Sequence, residues 1–241
     1  MTTYVGLPLE NEYLELSNAV IAKLQKGNAP SQSKDTVKAS QILIVGVLQL
    51  LVTDLTEQVS MKPFVKKVII QVGAIAQKTI YVMVDKVISK LSNDDLIPFV
   101  GHYKKMEIDH QGKKFIGFEL DNDLEALINS AFNNVHNNET QTAKDELTDA
   151  LLQIIMISLE LFLKVPMGLI KLGMISRKLV DLTAATLEKV VQPAIRKIVG
   201  NLDQEELESF EGFIVELVLR DDESIAKAQK LKQPVDLSSD S

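Results

Sequence analysis

The sequence predicts a mostly helical protein, α+β by a small margin, in which a four-helix unit is repeated in tandem. The first observation is a pair of matches at one offset of 111 residues. The matched segments are residues 4–12 with 115–123 and residues 92–101 with 203–212. They place Gly6 opposite Gly117 and Phe99 opposite Phe210. The second observation is helical periodicity between the matches. We therefore expect two halves that superpose about an approximate twofold axis.

The first half, residues 1–111, begins with a short strand and continues as helices. Its first helix has apolar residues three and four positions apart, which is the stripe of an amphipathic helix. The stripe consists of Leu9, Tyr13, Leu16, Val20 and Leu24. The predicted helices of this half cover about residues 9–26, 34–60, 64–91 and 93–101. The predicted strands cover about residues 3–7 and 104–109.

The second half, residues 112–221, repeats this order. Its predicted helices cover about residues 120–136, 143–164, 167–199 and 203–212. Its predicted strands cover about residues 114–118 and 214–220. Pro63 and Pro166 are predicted to separate the second and third helices of each half, because proline lacks an amide donor. On this reading the third helices differ in length, so insertions and deletions between the halves must compensate.

Short strand-like segments connect the two halves. Residues 105–109 and 114–118 flank a polar turn, residues 110–113, and predict a β-hairpin. Residues 4–7 and 215–220 occupy the same positions in the repeat. The sequence therefore predicts that these terminal segments also pair as antiparallel strands.

The second helix of each half contains the most apolar run of that half. Residues 42–52 are apolar nearly all round, and so are residues 151–159. A helix with almost no polar face is normally central in its domain. We therefore expect both helices in the interior, with an apolar cavity between long helices that accepts an acyl-like ligand.

Composition excludes several classes of protein. The net charge is -7 and only 5% of the chain is aromatic, with no Trp, so the core must be aliphatic. The acidic balance, with a pI near 5.1, argues against a nucleic-acid partner, which requires a basic surface. The chain has no Cys, which excludes disulfides and thiolate chemistry.

The sequence predicts a cytoplasmic protein with no transmembrane segment. The first residues lack the basic and apolar regions of a secretory signal. The longest run without a charged residue is 39–53, which is 15 residues, and a bilayer span needs about 20. Residues 222–241 are polar and predict a partly disordered tail.

No pattern of catalytic or metal-binding residues is visible, so no catalytic residue, metal site or cofactor is predicted. The histidines, His102, His110 and His136, lack the spacing of metal ligands. Acidic pairs fall in the first turns of predicted helices, where they interact favourably with the helix dipole. These pairs are Glu10 with Glu12, Asp94 with Asp95, Asp121 with Asp123, and Glu205 with Glu206. The glycosylation sequon at Asn138 is interpreted as a chance match.

Two further sets of residues suggest binding. Lysines on the third helices form a candidate strip for anionic lipid, although the solvated edge of a core helix is the commoner explanation. These are Lys62, Lys66, Lys78, Lys86 and Lys90, with Lys164, Lys171 and Lys178 in or near the second. Methionines of the apolar helices suit an adaptable apolar site, although core packing is the commoner role. They are Met61, Met83, Met156, Met167 and Met174.

Three functions are consistent with these observations. The first is a non-catalytic protein that binds a lipid or another elongated apolar molecule between its long helices. The second is a structural or interaction protein with a solid core, which has a protein partner or forms a homo-oligomer but binds no small ligand. The third is an amphitropic protein whose apolar helices associate with membranes.

Overall fold

A computed structural model describes residues 2–27 and 30–220, which form eight helices and one four-stranded antiparallel sheet. Of the described residues, 75% are helical, so the predicted mostly-α, α+β class is confirmed. The predicted polar tail at residues 222–241 lies outside the described residues. Each half consists of a strand, four helices and a second strand, in that order.

The elements of the first half are β1 (Thr3–Pro8), α1 (Asn11–Gln25), α2 (Ser33–Gln58), α3 (Pro63–Ile88), α4 (Asn93–Lys105) and β2 (Glu107–His110). Those of the second are β3 (Lys113–Glu119), α5 (Asn122–His136), α6 (Thr140–Gly168), α7 (Met174–Gly200), α8 (Gln204–Val215) and β4 (Val218–Arg220). Both α2 and α6 contain a π-helical segment, at Gln49–Asp54 and Glu160–Lys164. The two π-helical segments begin 111 positions apart.

The sheet ties the two halves together. Its strand order is β2-β3-β1-β4, so β1 pairs with β4 on one side and with β3 on the other. The predicted pairing of the terminal segments is therefore confirmed. The predicted hairpin is also confirmed as β2 and β3, which are joined by Gln111 and Gly112 with φ of 51° and 75°. Two positive φ values are the requirement of a type I′ turn, whose twist suits a hairpin.

The register of β1 against β3 is symmetric about one pair of residues. Gly6 pairs with Gly117, and these residues are 111 positions apart in the chain. The outer strands follow the same rule, because Ile108 pairs with Phe115 and Leu219 pairs with Tyr4. Such a register is the one that a twofold axis through the glycine pair would generate.

The boundaries of the third helices correct one expectation. The third helix of the second half was expected over residues 167–199, but α7 begins at Met174. Pro63, the first residue of α3, lies 111 positions earlier. The two third helices therefore occupy equivalent positions, and the expected compensating insertions and deletions are absent from the described residues. The mistake came from Pro166, which lies inside α6 and does not end it.

The fourth helices are longer than expected, and the strands that follow them are shorter. Helix α4 continues to Lys105 where an end near residue 101 was expected, and α8 continues to Val215. Met106 and Leu217 were expected within strands, but each lies at the junction of helix and strand. Both residues still join the sheet through their carbonyls, which accept hydrogen bonds from Gly117 and Gly6.

The four long helices pack side by side in the order α2, α3, α7, α6. The start of α3 lies at the end of α7, where Lys197 Nζ is 4.6 Å from the centre of the Phe64 ring. Helices α1 and α5 pack on α2 and α6 respectively. Consequently α2 and α6, which carry the most apolar runs, occupy the two edges of the four-helix layer.

Two large apolar cores stabilise the fold, and each contains residues of both halves. The core around α1 and α4 includes Met167 and Val180 from the second half. The core around α5 and α8 includes Val59 and Val65 from the first half. A hydrogen bond also joins the two halves, because the backbone amide of Lys62 donates to the Glu206 side chain at Oε1, at 2.8 Å. The halves are thus interlocked.

Candidate functional site

The most apolar runs of the chain are the clearest unusual feature of the structure. We call residues 42–52 of α2 the first apolar segment and residues 151–162 of α6 the second apolar segment. No residue of either segment is fully buried. The expectation that these helices are central is therefore wrong. The reason is their place at the edges of the layer, where each helix has one long neighbour and one short one, and part of its surface faces solvent.

Side chains at equivalent positions of the two segments face solvent. Val45 is 49% exposed, and Met156, which lies 111 positions later, is 36% exposed. Leu51 in the first segment is 39% exposed. Soluble proteins rarely leave large apolar patches uncovered, and such patches commonly mark binding surfaces. The two apolar segments are therefore the candidate functional site.

The first apolar segment approaches α3 closely because of one glycine. A Cβ atom built on Gly73 would lie 2.4 Å from Val52 Cγ2, so α3 has no room for a side chain at this point. This close contact holds the π-helical segment of α2 against α3 while Val45, earlier in the helix, is exposed.

The second apolar segment is held by hydrogen bonds from α4. His102 Nε2 lies 2.7 Å from the Leu161 carbonyl, and the Tyr103 hydroxyl donates to the Phe162 carbonyl at 2.7 Å. Since a carbonyl oxygen only accepts, His102 must carry a proton on Nε2. We call this pair of contacts the α4 latch.

The α4 latch explains how a proline is accommodated inside α6. In the first half, the Leu55 amide donates to the Leu50 carbonyl across the π-helical turn. The equivalent donor in the second half would be residue 166, but Pro166 has no amide hydrogen. His102 supplies the donor for the Leu161 carbonyl instead. This role of His102 was not predicted from the sequence. Pro166 within an apolar run indicates that a carbonyl needs a donor, but not which side chain supplies it.

Burial also perturbs the tyrosines near this contact. It raises the pKa of Tyr103 above its ordinary value, and burial raises the pKa of Tyr13 to about 12. Both tyrosines therefore remain protonated at neutral pH, so the Tyr103 hydroxyl can donate to the Phe162 carbonyl.

Charges at the start of the two apolar helices have opposite sign at equivalent positions. Lys34 and Lys38 lie in the first turns of α2, whereas Asp145 and Asp149 lie at the same repeat positions in α6. Lys38 Nζ is 3.3 Å from Glu12 Oε1, but both side chains are more than half exposed, so this pair is weak. The two apolar segments therefore have different electrostatic surroundings.

The other histidines and the acidic pairs contact neighbouring residues or lie at helix starts. His136 Nε2 lies 3.1 Å from Glu211 Oε1, and His110 contacts the Phe115 ring edge to face. Among the acids, Glu206 completes a capping box with Asp203, and Ser92 donates to Asp95. The other members of the predicted pairs lie at or next to helix starts. In the described part of the chain, no group of three or more His, Asp or Glu residues could hold a metal ion.

The methionines are not brought together into one site. Met61 belongs to one core, while Met83 and Met167 belong to the other. Met156 and Met174 are exposed, and only Met156 lies in an apolar segment.

The charge of the predicted lysine strip is partly neutralised by neighbouring acids. Lys62 lies 3.3 Å from both Asp203 and Glu206, and Lys164 pairs with Glu160 and Glu188.

The sequon residue Asn138 has a structural explanation as well. It follows α5 with φ of 60°, as Gly27 follows α1 with φ of 74°. Asparagine tolerates this left-handed conformation better than most residues other than glycine. The sequon therefore coincides with a helix-terminating turn.

Three helices are long and apolar enough to cross a bilayer, judged by length and composition only. They are α2, α3 and α6. Few residues of their most apolar windows are fully buried, since the buried share is 11% of the window in α2 and 22% in α6. The expectation of no transmembrane segment rested on uninterrupted charge-free runs, and these helices reach the required length only when isolated charges are allowed. That expectation stays a prediction.

Comparison of the chain with models of protein families, with curated proteins and with solved structures finds no match.

Proposed function

We propose that this protein is a non-catalytic lipid-binding protein whose two apolar segments contact acyl chains. The observation that carries the proposal is the absence of any fully buried residue from both segments, although they are the most apolar runs of the described chain. Residues of this kind are normally packed inside a protein. Contact with lipid would remove their apolar surface from water.

The dimensions of the helices favour lipid as the apolar partner. Helix α2 has 26 residues. At 1.5 Å per residue it is about 39 Å long, which exceeds the roughly 30 Å hydrocarbon core of a bilayer. Two further helices meet the same criteria of length and composition. The length of these helices supports contact with membranes. We propose that the protein is cytoplasmic and associates with membranes reversibly, which is the amphitropic form of lipid binding.

The placement of the methionines favours a surface site over an enclosed cavity. If the expected cavity lay between the long helices, Met83 or Met156 would contribute to its lining. Met83 is packed within a core, and Met156 is exposed on the second apolar segment. We therefore propose that acyl chains lie along the apolar segments. The absence of catalysis is part of the proposal, because the acidic pairs serve helix starts and ion pairs.

A protein-interaction module is the second candidate. The observation that supports it is the exposure of apolar residues at the start of α7, where Met174 is 76% exposed and Ile175 is 85% exposed. These residues lie outside the apolar segments, so they indicate a second apolar surface. A homo-oligomer or another protein could cover it without any lipid.

We also propose that the chain arose by duplication of a unit of about 111 residues. The common order of the elements and the symmetric strand register support this origin. If the chain arose by this duplication, the two apolar segments descend from one ancestral lipid-contacting helix.

Flotation with phospholipid vesicles tests the proposed function. The protein should float with the vesicles, and Val45→Asp should weaken flotation because a carboxylate on the contact surface must be desolvated. The matched control is Leu182→Asp. Leu182 is 63% exposed on α7, which is not among the three bilayer-length helices. Circular dichroism checks that both variants remain folded.

Two results would reject lipid binding through the apolar segments. One is a wild-type protein that stays with the free fraction. The other is equal loss of flotation in both variants. If wild-type protein does not float but self-associates in sedimentation velocity, the interaction module is the better account.

A further inference from the structure

We propose that the two apolar segments are not equivalent: the first one enters an anionic phospholipid bilayer, while the second remains packed on the protein and contacts acyl chains only through its exposed side. This inference rests on the proposed function and names the surface and the lipid class. Four differences between equivalent positions support it, and all four point to α2.

The first difference is charge at the water-facing end of each helix. The first turns of α2 carry two lysines and one acid, whereas those of α6 carry one lysine and three acids. Two of the equivalent positions are reversed in sign, because Lys34 and Lys38 correspond to Asp145 and Asp149. Anionic head groups attract basic residues at the end of an inserting helix and repel acidic ones. The chain as a whole has a net charge of -7, which an anionic membrane repels. Local basic residues are therefore needed for the protein to approach such a membrane.

The second difference lies within the apolar runs. Residues 39–53 contain no charged side chain. In the second segment the run is interrupted by Glu160, which occupies the position of Gln49. A carboxylate inside the hydrocarbon region is costly, whereas a glutamine is less so. Insertion is therefore less costly for α2 than for α6.

The third difference is the α4 latch. Tyr103 and His102 bind the carbonyls of the second segment. The equivalent residues, Ile214 and Phe213, have side chains with no hydrogen-bonding atom. Separating α6 from the protein would break both contacts of the latch. Separating α2 would break the hydrogen bond from Lys66 Nζ to the Thr56 carbonyl and the exposed ion pair of Lys23 with Asp35, but both lie outside the first apolar segment.

The fourth difference is the extent of burial. The most apolar window of α2 is 11% buried, and that of α6 is 22% buried. Fewer buried residues must therefore be exposed to release α2, and each exposed apolar side chain adds to the cost of release. The exposed pair of Lys38 with Glu12 adds little resistance.

The absence of cysteine from the chain makes a direct test available. Val45→Cys and Met156→Cys place a single thiol at equivalent exposed positions, and each is labelled with the environment-sensitive fluorophore NBD. The labelled proteins are mixed with vesicles of equimolar phosphatidylcholine and phosphatidylserine, and with vesicles of phosphatidylcholine alone. Flotation of each labelled protein is measured in parallel.

We expect the label at position 45 to brighten several-fold more than the label at position 156 on the mixed vesicles. Adding Lys34→Asp and Lys38→Asp, which copies the charges of the second half, should reduce the response at position 45. The response should also fall on phosphatidylcholine alone. A brighter or equal label at position 156 would overturn the inference, and so would indifference to the lysine substitutions. If the proteins do not float at all, the proposed function itself fails, and the inference fails with it.

Discussion

Gly6 and Gly117 face each other across the central strands β1 and β3, and a Cβ atom built on Gly117 would lie 2.0 Å from the Val5 carbonyl oxygen. The two glycines are not equal in this respect. A Cβ atom built on Gly6 would meet the Leu219 side chain at 2.6 Å. A side chain can rotate away, whereas the backbone of a central strand cannot.

Gly117→Ala should therefore destabilise the protein more than Gly6→Ala. Overpacking commonly costs about 1–3 kcal/mol, and a backbone clash puts Gly117 at the upper end of this range. For a chain of this size that corresponds to roughly 2–4 °C in Tm per kcal/mol. Thermal unfolding followed by circular dichroism measures both variants. Equal shifts would contradict the close approach of β3 to β1.

The interlocked cores predict one cooperative unfolding transition for the whole chain. Leu96 and Leu207 are equivalent, and each is 0% exposed in a different core. Leu96→Ala and Leu207→Ala should each cost about 2–5 kcal/mol and shift one common transition. Differential scanning calorimetry distinguishes this outcome from two separate transitions. A variant that moves only one of two peaks would show that the halves unfold independently.

The α4 latch predicts a local effect of Tyr103→Phe. The substitution leaves the Phe162 carbonyl without its hydroxyl donor, and an unsatisfied buried acceptor costs about 1–3 kcal/mol. Hydrogen–deuterium exchange should rise in residues 160–168 and remain unchanged in residues 49–58. The control is Tyr81→Phe, which removes a hydroxyl from α3 instead. A rise of equal size in both regions would argue against a latch specific to the second segment.

Glu211 predicts a pH dependence of stability. Burial raises its pKa above the ordinary value of 4.5, with the charge of His136 acting in the opposite direction. A raised folded pKa means that the stabilising contribution is complete below pH 4.5 and is lost as the pH rises through the folded pKa. Glu211→Gln should therefore increase Tm relative to the wild type at pH 8 and have little effect at pH 4. The opposite trend would show that the contact with His136 dominates.

Much of the architecture could be predicted from the sequence because it depends on local patterns and on the repeat. Apolar spacing located the helices, and the offset identified β4 as the partner of β1. Pro166 was misread, since its missing amide is replaced by His102 from a helix about 60 residues earlier in the chain. A side chain that distant leaves no local signal. The exposure of residues 42–52 was also missed, because periodicity does not show on which side of a layer a helix is uncovered.

The most direct test of lipid contact uses a single tryptophan, because the chain contains none. Val45→Trp places an intrinsic fluorophore at the most exposed apolar residue of the first apolar segment. Vesicles whose acyl chains carry bromine quench tryptophan only at short range. The account predicts strong quenching on vesicles of brominated phosphatidylcholine and phosphatidylserine, together with a blue shift on the unbrominated equivalents. Unchanged emission on both kinds of vesicle, from a folded protein, would contradict it.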